Sequence, residues 1–517
     1  MPFSSRMSAA PVTRRRRYRR AITAIVVGIW IALSLWEANK PLQPGVRTSS
    51  SWHTVPVQSV SFIADITSAD AYGRSISSQA IFDETLKIIR GAHDFLVLDY
   101  FMFNTRRGDL DASSPLLRPL TATLRDALIE RRQALPGLKV LFLTDPINEL
   151  YGAEPSPDLR LLKAAGIDVV FTNLDALRDS NHLYSSAWRL GINWWDPDTR
   201  GVGSFPNPLS DSNTPLLFGA WARALNFKAN QRNVVIGDDG SGGLVGIIGS
   251  ATAHDASGTD SNVAARVSGP VLGSLLESEL AIARFSGWQG QGSIRVPAGE
   301  PALAQASSQP NKELASGKLA RVQTLTEGAI HDALLERIEA AVPGDSINIA
   351  MFYIADRSII ESLLAASRRG VNVRLLLDPN KDSYGHTVSG LPNRPAASEL
   401  ISESDGKIRV RWYRTHGERF HTKLVMVYGP ERVWLTLGSA NLTSRNLGDY
   451  NLEANLAIEV SHGSALAGQA LEYFDTLWTN RASLGIEYSA DFSAYADPGQ
   501  GHYWLYRFLE STGLSDF

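Results

Sequence analysis

The chain has 517 residues, which is too many for one hydrophobic core, so two domains or a duplicated unit are expected. Apolar residues make up 44% and charged residues 20%, as in ordinary globular proteins. The net charge of −3 gives no global basic field for nucleic acid, and the absence of cysteine excludes disulfides, thiolate catalysis and cysteine-based zinc sites. The ten histidines are dispersed, without ligand-type spacing to carboxylates, so we expect neither a metal nor another cofactor.

The N-terminus combines a basic run with an apolar stretch. Six arginines lie within residues 14–20, and the apolar stretch runs from Ala21 to Trp36. Its length lies between a signal-peptide core and a full span of ~20 residues, and bulky Trp36 stands where cleavage needs a small residue. We therefore expect an uncleaved, single-pass signal-anchor at residues 21–36, with a cleaved signal as the alternative. The arginines predict that the basic tail, residues 1–20, is cytoplasmic and that the globular part is periplasmic or extracellular.

Four sequence blocks recur in the same order further along the chain. Each set contains a helical pattern with a buried strand, a strand ending in Asp-Pro, a strand that opens with a polar motif, and a Gly-Ser turn. Such a repeat indicates an internal duplication. The paired blocks are 81–103 with 330–354, 137–148 with 370–381, 230–240 with 420–429, and 247–257 with 436–446.

The alternation of helix and buried strand predicts an α/β fold. We expect a duplicated α/β/α sandwich, whose two halves are related by a pseudo-twofold axis. The first half is assigned to residues 58–288 and the second half to residues 319–517. Residues 37–57 and 289–318 are rich in small residues and proline, which indicates a juxtamembrane linker and a linker between the halves.

The first half is longer than the second because of an insertion between Asp145 and Gln231. The insertion is rich in tryptophan, which suits either core packing or an apolar rim that faces lipid, and core packing is the favoured interpretation. The tryptophans are Trp188, Trp194, Trp195 and Trp221.

The polar motif of the second half carries groups that suit phosphate chemistry. His421 and Lys423 are two residues apart, so on a strand both side chains point to the same face. Lysine supplies positive charge, and histidine supplies a nucleophile or a general acid. Ser439 and Asn441 follow after the next apolar run and offer donors for phosphoryl oxygens.

These motifs resemble those of the phospholipase D superfamily, in which H-x-K-x-x-x-x-D followed by G-S-x-N occurs twice per active site. The likeness is to the bacterial phospholipase D-like or cardiolipin synthase-like branch. It extends to "LNFKANQRN", "DPNKDSYG", "GLPNRPAASEL", "THGERFHTK" and "YWLYRFLESTGL", and it covers residues 60–517. The second copy comprises His421, Lys423, Tyr428, Gly438, Ser439 and Asn441, and the first comprises Gln231, Asn233, Asp238, Gly249, Ser250 and Thr252.

The resemblance implies that two histidines face each other across the halves. One attacks phosphorus to form a phosphohistidine, the other protonates the leaving alcohol, and each is oriented by the aspartate of the opposite motif. On this basis His421 is expected to lie next to Asp238, and Gln231 to face Tyr428. Because Gln231, Asn233 and Tyr428 depart from the pattern, one half-site is interpreted as retired and the other as retained.

Other polar residues near the motifs are weaker candidates. They are assigned to substrate binding, with Ser250 and Thr252 as motif positions; an ordinary polar role is favoured for Lys228 and His254, and Glu453 either braces the site or faces solvent. These residues are Lys228, Ser250, Thr252, His254 and Glu453.

Three functions remain open from the sequence. The first is a membrane-anchored phosphodiesterase or phosphatidyltransferase that uses His421 as its single motif histidine, and whose activity is weak. The second is a pseudoenzyme that binds a phospholipid headgroup or another phosphodiester. The third, a nuclease-type phosphodiesterase, is disfavoured by the net charge and the anchor, so no nucleic acid partner is expected. The expected partners are a phospholipid or other phosphodiester and the membrane, with a monomeric chain; the headgroup, and hydrolysis as against transfer, are left open.

Overall fold

The structure is a computed structural model, and it describes residues 10–70, 72, 75–107, 118–195, 201, 203–205, 215–290, 292–295, 314–383, 386–481, 486–515 and 517. Most of the linker expected at residues 289–318 lies outside these described residues.

Two large β-sheets form the body of the protein. Within the described chain one sheet has seven strands and the other has nine, and two short hairpins accompany them. The strands are β1 (His53–Pro56), β2 (Val60–Asp65), β3 (Thr67–Ala69), β4 (Ser75–Ser77), β5 (Phe95–Tyr100), β6 (Lys139–Thr144), β7 (Asp168–Phe171), β8 (Asn233–Asp238), β9 (Leu244–Gly249), β10 (Asn262–Ser268), β11 (Leu319–Thr326), β12 (Ser346–Met351), β13 (Asn372–Leu377), β14 (Asp382–Ser383), β15 (His386–Thr387), β16 (Arg409–Tyr413), β17 (Lys423–Tyr428), β18 (Arg432–Gly438), β19 (Ala454–Ser461) and β20 (Ser489–Asp491).

The two sheets share one topology. The first has the strand order β2-β10-β9-β8-β5-β6-β7, and the second has β1-β11-β19-β18-β17-β12-β13-β16-β20. Seven consecutive strands correspond one for one, with four antiparallel pairings followed by two parallel pairings in each sheet. The predicted α/β class and the internal duplication are therefore confirmed.

Helices cover the sheets and extend the N-terminus, and a π-helical turn, Trp188–Ile192, joins two of them. The helices are α1 (Ala10–Asn39), α2 (Ala80–Gly91), α3 (Leu120–Ala134), α4 (Pro157–Ala164), α5 (His182–Ala187), α6 (Asn193–Trp195), α7 (Phe218–Ala224), α8 (Leu272–Phe285), α9 (Gly328–Ala340), α10 (Arg357–Arg368), α11 (Asn393–Glu403), α12 (Ser444–Leu447), α13 (Ala465–Thr479) and α14 (Gln500–Thr512).

The sheets face each other across a shared core. In β17, Leu424 and Met426 point into this core, whereas Val425 and Val427 point to the opposite face, as the period of two in a strand requires. Helices α8 and α13 also contribute to the shared core. The outer face of the first sheet packs against α2, α3 and α4, and that of the second sheet packs against α9, α10 and α11. Central strands such as β5 and β9 are buried on both faces, so their sequences are largely apolar.

Residues 37–57 are folded against the body, so the prediction of a linker there was wrong. Strand β1 pairs antiparallel with β11 at the edge of the second sheet. Val46 is 1% exposed and belongs to the shared core. Arg47 forms ion pairs with Asp332 and Asp449. The edge of a sheet has unpaired backbone N–H and carbonyl groups, and this segment forms hydrogen bonds with them through β1 although its composition is polar.

The insertion begins later than predicted. Helix α4 and strand β7 are the counterparts of α11 and β16, so the additional chain lies between Thr172 and Asn230 instead of starting after Asp145. Its tryptophans differ in environment, because Trp188 is buried whereas Trp194 is 81% exposed. The favoured prediction of core packing therefore holds for Trp188 and fails for Trp194. Trp221 is half-buried, and the side chain of Trp195 lies outside the described atoms.

Helix α1 contains the predicted apolar stretch. Its part from Arg16 to Asn39 is long and apolar enough to cross a membrane, as judged by length and composition. Most of its side chains are exposed, but its C-terminal turns contact the body: Trp30 Nε1 donates to the Leu183 carbonyl at 3.0 Å, and Asp179 N donates to the Glu37 carbonyl at 3.0 Å.

A fully buried arginine ties the two halves together. Arg232 Nη1 lies 2.9 Å from Glu279 Oε1 in the first half, and Nη2 lies 2.7 Å from Glu327 Oε1 in the second half. Nη2 also donates to Ser278 Oγ at 2.9 Å and to the carbonyl of Val46 at 3.3 Å. Burial raises the pKa of Glu327 to about 7, and the Arg232 charge opposes this rise. One guanidinium therefore joins both halves and the N-terminal segment.

Replacing Arg232 by methionine is expected to lower the free energy of unfolding by roughly 3–5 kcal/mol, because it leaves two buried carboxyl groups without their cation. Urea unfolding followed by circular dichroism measures the change. The matched control is Arg432→Met, because Arg432 is half-exposed and its partner Glu459 keeps ion pairs with Arg321 and Arg337. Loss of such an exposed cation is expected to cost less than about 1 kcal/mol. Equal stability of the two variants would contradict this role of Arg232.

Candidate active site

Two reciprocal backbone contacts cross the interface between the halves. Asn230 forms a parallel bridge with Leu452, and Phe420 forms a parallel bridge with Ser261. Gln231 directly follows Asn230, and His421 directly follows Phe420, so each bridge immediately precedes a motif residue. The crossings therefore place the start of each motif against the other half of the protein.

A cavity of about 600 Å³ lies at this crossing, within the size range of small-molecule sites. Motif residues of both halves line one side of it, as the duplication predicts. They are Gln231, Asn233, Thr252, His421, Lys423, Ser439 and Asn441, and Lys228 also lines the cavity.

His421 is held as a neutral imidazole. Its pKa lies well below the ordinary value, first because of burial and then because of the nearby charges of Lys423 and Arg419. Nδ1 lies 3.1 Å from Asn262 Oδ1. Since Oδ1 is an acceptor, Nδ1 carries the proton, and the lone pair is on Nε2.

Neighbouring contacts fix the orientation of the Asn262 amide. Its Nδ2 donates to the carbonyl of Asp260 at 3.2 Å, and its Oδ1 accepts from Ser250 Oγ at 2.9 Å. The amide oxygen therefore faces His421. Ser250 thus acts behind the site, through Asn262, and is not among the residues that line the cavity.

The equivalent position of the other half holds a carboxyl group. Ser439 Oγ donates to Glu453 Oε2, as Ser250 does to Asn262. Asn446 Nδ2 donates to Glu453 Oε1, and also to Gln231 Oε1 at 2.7 Å. Burial raises the pKa of Glu453 to about 7. A carboxyl group therefore stands on the side of Gln231, and an amide group stands at the matching place on the side of His421.

Lys423 and Asn233 occupy matching positions as the first residues of β17 and β8. Lys423 Nζ donates to the His421 carbonyl at 3.1 Å, and Asn233 Nδ2 donates to the Gln231 carbonyl at 3.2 Å. Burial lowers the pKa of Lys423 well below its ordinary value, and Arg419 adds to this effect. The amide oxygens of Asn233 and Asn441 are buried, and neither has a hydrogen-bond partner in the part of the chain described.

Asp238 does not lie beside His421, so that prediction was wrong. Its carboxylate accepts from the backbone N–H groups of His93 and Asp94 at 2.7–2.9 Å. Asp238 ends β8, whereas Asn233 begins it, and five residue steps of a strand span roughly 17 Å. Tyr428 ends β17 in the same way. Its hydroxyl accepts from Asn348 and Arg374, remote from Gln231.

Two further candidates do not supply the groups expected of them. Lys228 lines the cavity, but its ammonium pairs with Asp179; burial lowers its pKa to about 8, against the Asp179 charge. His254 is buried, with Nδ1 3.1 Å from Ser257 Oγ. Burial lowers its pKa to about 3, so it is neutral at pH 7. Thr252 does line the cavity and donates to Ser257 Oγ at 2.8 Å.

Sequence reasoning missed three residues of the site. Asn262 orients His421, Asn446 contacts Gln231, and Arg419 lines the cavity while its guanidinium pairs with Asp260 at 3.1 and 2.5 Å. The sequence does contain a signal for Asn262, because it follows the Gly-Ser turn of the first half at nearly the same spacing at which Glu453 follows that of the second half.

Residues 334–478 match the family model described as "Cardiolipin synthase, PLD-like domain". No relative is found among curated proteins. Among solved structures, phosphatidylserine synthase from Haemophilus influenzae Rd KW20 is 12% identical, with a TM-score of 0.47, and the alignment covers 89% of this chain and 94% of that chain. Nuc from Salmonella typhimurium, a phospholipase D family member, is 23% identical, with a TM-score of 0.25, and covers 33% of this chain and 97% of its own. Polyphosphate kinase from Porphyromonas gingivalis is 12% identical, with a TM-score of 0.39, and covers 92% of this chain and 55% of its own.

The family match lies in the second half and includes His421, Lys423, Ser439 and Asn441, together with the departing Tyr428. The first half repeats the topology of the matched half. The second half therefore carries a phospholipase D-like domain, as its motif predicted.

Proposed function

We propose that the protein is a membrane-anchored phosphodiesterase that acts on phospholipids, by hydrolysis or phosphatidyl transfer, with His421 as its nucleophile. The observation that carries the proposal is the cavity in which the neutral His421 meets Lys423 and Asn441. Helix α1 serves as the anchor, with the globular part outside the cytoplasm, because arginines precede its apolar stretch.

The state of His421 favours nucleophilic attack over proton donation. Nε2 attacks phosphorus, so that a P–N bond forms while the P–O bond to the leaving alcohol breaks. Asn262 accepts from Nδ1–H and stabilises the proton-bearing ring as positive charge develops on it. Lys423 and Asn441 line the same cavity and hold the phosphoryl oxygens. Attack by water then breaks the P–N bond in hydrolysis, and attack by a second alcohol breaks it in transfer.

Among the described residues that line the cavity, no second histidine and no carboxyl group stands opposite His421. The leaving alkoxide must gain a proton, and the Gln231 amide is not an acid at neutral pH. Departure of an alkyl alkoxide is therefore slow, whereas a leaving group that is stable as an anion departs without a proton. We therefore expect weak activity toward lipids, because their leaving group is an alkyl alkoxide that needs a proton.

The second candidate function is binding without turnover. Two substitutions favour it: Gln231 removes the acid, and Asn262 gives His421 an amide partner instead of a carboxylate. Lys423 and Asn441 retain the means to hold a phosphodiester. The two candidates differ in turnover and not in ligand class.

We expect release of nitrophenolate from bis(4-nitrophenyl) phosphate to be far faster than release of ethoxide from ethyl 4-nitrophenyl phosphate. Nitrophenolate is stable as an anion and leaves without a proton, whereas ethoxide needs one. His421→Ala should reduce nitrophenolate release by about 10³-fold or more, as loss of a nucleophile does elsewhere. Release is measured by absorbance. The control is His502→Ala, in an exposed histidine of α14. Equal activity of His421→Ala and the wild type would exclude His421 as the nucleophile, and binding of phosphodiesters with no turnover would establish the second candidate.

Restoring the first motif should create activity toward alkyl phosphodiesters. The double variant Gln231→His/Asn233→Lys supplies an acid and a charge, and Glu453 stands on that side to orient the new imidazole. A gain of about 10²–10⁴-fold is expected from general acid catalysis. Phosphatidylglycerol hydrolysis, followed by mass spectrometry, measures it.

Two controls sharpen this prediction. Asn233→Lys alone restores the charge without an acid and should give little gain. Adding Tyr428→Asp should give no further gain, because Tyr428 lies at the far end of β17, where its hydroxyl contacts Asn348 and Arg374. A folded double variant with wild-type activity would refute the missing-acid explanation.

A further inference from the structure

The insertion supplies one wall of the cavity. Leu150, which precedes the insertion, packs with Leu216 and Ala220 in a small hydrophobic cluster separate from the three large cores, and Trp221 packs against it. The cluster is held in place by the insertion's own backbone, since Phe205 and Leu216 exchange two N–H to carbonyl bonds of 3.1 and 2.8 Å. Backbone hydrogen bonds and apolar contacts therefore both hold this wall in place.

The cavity is polar at one end and apolar at the other. The motif residues surround the polar end, at His421. Beyond them most of the lining consists of aliphatic and aromatic side chains. Lys228 and Arg445 also line the cavity, but Lys228 pairs with Asp179 and Arg445 donates to Ser180 and to backbone carbonyls. This part of the lining therefore favours a hydrocarbon over a sugar or nucleobase. The apolar lining includes Ile147, Leu150, Leu216, Trp221, Leu225 and Phe227.

The apolar end lies on the degenerate side of the site. The insertion runs directly into the first motif, so Phe227 and Gln231 line the same cavity. The second half has only the short segment from Arg414 to Thr422 in the place of the insertion. Asn233 is neutral where the family pattern has lysine, so this position adds no charge that would have to be desolvated beside a hydrocarbon. The ammonium of Lys228, which also lines the cavity, is paired with Asp179.

The same insertion holds the end of α1. Tyr184 Oη in α5 donates to the Ala222 carbonyl in α7 at 2.7 Å, which joins the wall of the cavity to α5. Helix α5 in turn contacts α1 through the Leu183 carbonyl and Trp30. Three apolar side chains of this region, Leu183, Leu190 and Trp194, are exposed at 42%, 43% and 81%. The wall, the apolar surface and the candidate membrane helix are thus continuous.

We propose that the apolar end of the cavity binds one aliphatic chain of the substrate, taken from the bilayer surface beside α1. The inference rests on the proposed function, since it assigns the phosphodiester of the same molecule to His421. The ligand class is an amphipathic phosphodiester, with the phosphate at the motif residues and a hydrocarbon chain against the insertion.

The full chain, reconstituted in phosphatidylcholine nanodiscs, is tested with phosphatidylglycerol that carries a diazirine at the end of one acyl chain. After illumination, mass spectrometry should find label on peptides that contain residues 147–151 and 216–227, as well as on α1. Ala224 lines the cavity and is half-buried, so Ala224→Phe fills the space without disturbing the main cores. Labelling of 216–227 should fall by about tenfold in this variant, because the chain no longer fits. Ala224→Ser, which keeps the space open, should label like the wild type.

The outcomes separate this inference from the proposed function. Label confined to α1 and residues 183–194, or labelling that Ala224→Phe leaves unchanged, overturns the chain-binding site even if turnover depends on His421. Label in the cavity that Ala224→Phe removes supports the site. If His421→Ala then retains the label and the wild type shows no turnover, the chain-binding site stands and the catalytic proposal falls.

Discussion

The buried guanidinium of Arg232 is the contact on which the arrangement of the two halves depends. Burying one charge and two carboxyl groups is costly unless they are paired, so the pairing of Arg232 with Glu279 and Glu327 permits few alternative positions of the halves. Arg232 lies between Gln231 and Asn233, and the backbone of Glu453 donates to Glu327 Oε1 at 3.1 Å. The network therefore controls the geometry of the cavity directly. It also reaches the Val46 carbonyl, which connects the N-terminal segment to the same centre.

The two sides of the site have diverged in a complementary manner. One side keeps the histidine and lysine, but an amide, Asn262, replaces the carboxylate that would orient the histidine. The other keeps the carboxylate, Glu453, but has glutamine in place of the histidine. An amide partner lowers the basicity that a carboxylate would give the imidazole, and burial lowers it further. The remaining histidine is therefore neutral where it lines the cavity with Lys423 and Asn441, and the side that has glutamine instead adjoins the apolar end of the cavity.

The sequence predicted the features that depend on local pattern. Four blocks repeated in the same order, which include "KLVMVY" and "NVVIGD", predicted the duplication, because the apolar pattern of a buried strand does not depend on which segment it pairs with. The sequence did not predict features that depend on contacts between distant segments. The distance of Asp238 from His421 depends on which end of each strand meets the other half, and the role of Asn262 depends on the bridge from Ser261 to Phe420. The folding of residues 37–57 was missed because polar composition does not reveal a free sheet edge.

The central claim is that one histidine, His421, is the group that meets phosphorus. A crystal structure of the protein soaked with orthovanadate tests it most directly, because pentavalent vanadium mimics phosphorus under nucleophilic attack. The account predicts vanadium bonded to Nε2 of His421, with Lys423 and Asn441 at its oxygens and Asn262 at Nδ1. Vanadate bound away from His421, or bound in the cavity with no bond to its imidazole, would contradict the account.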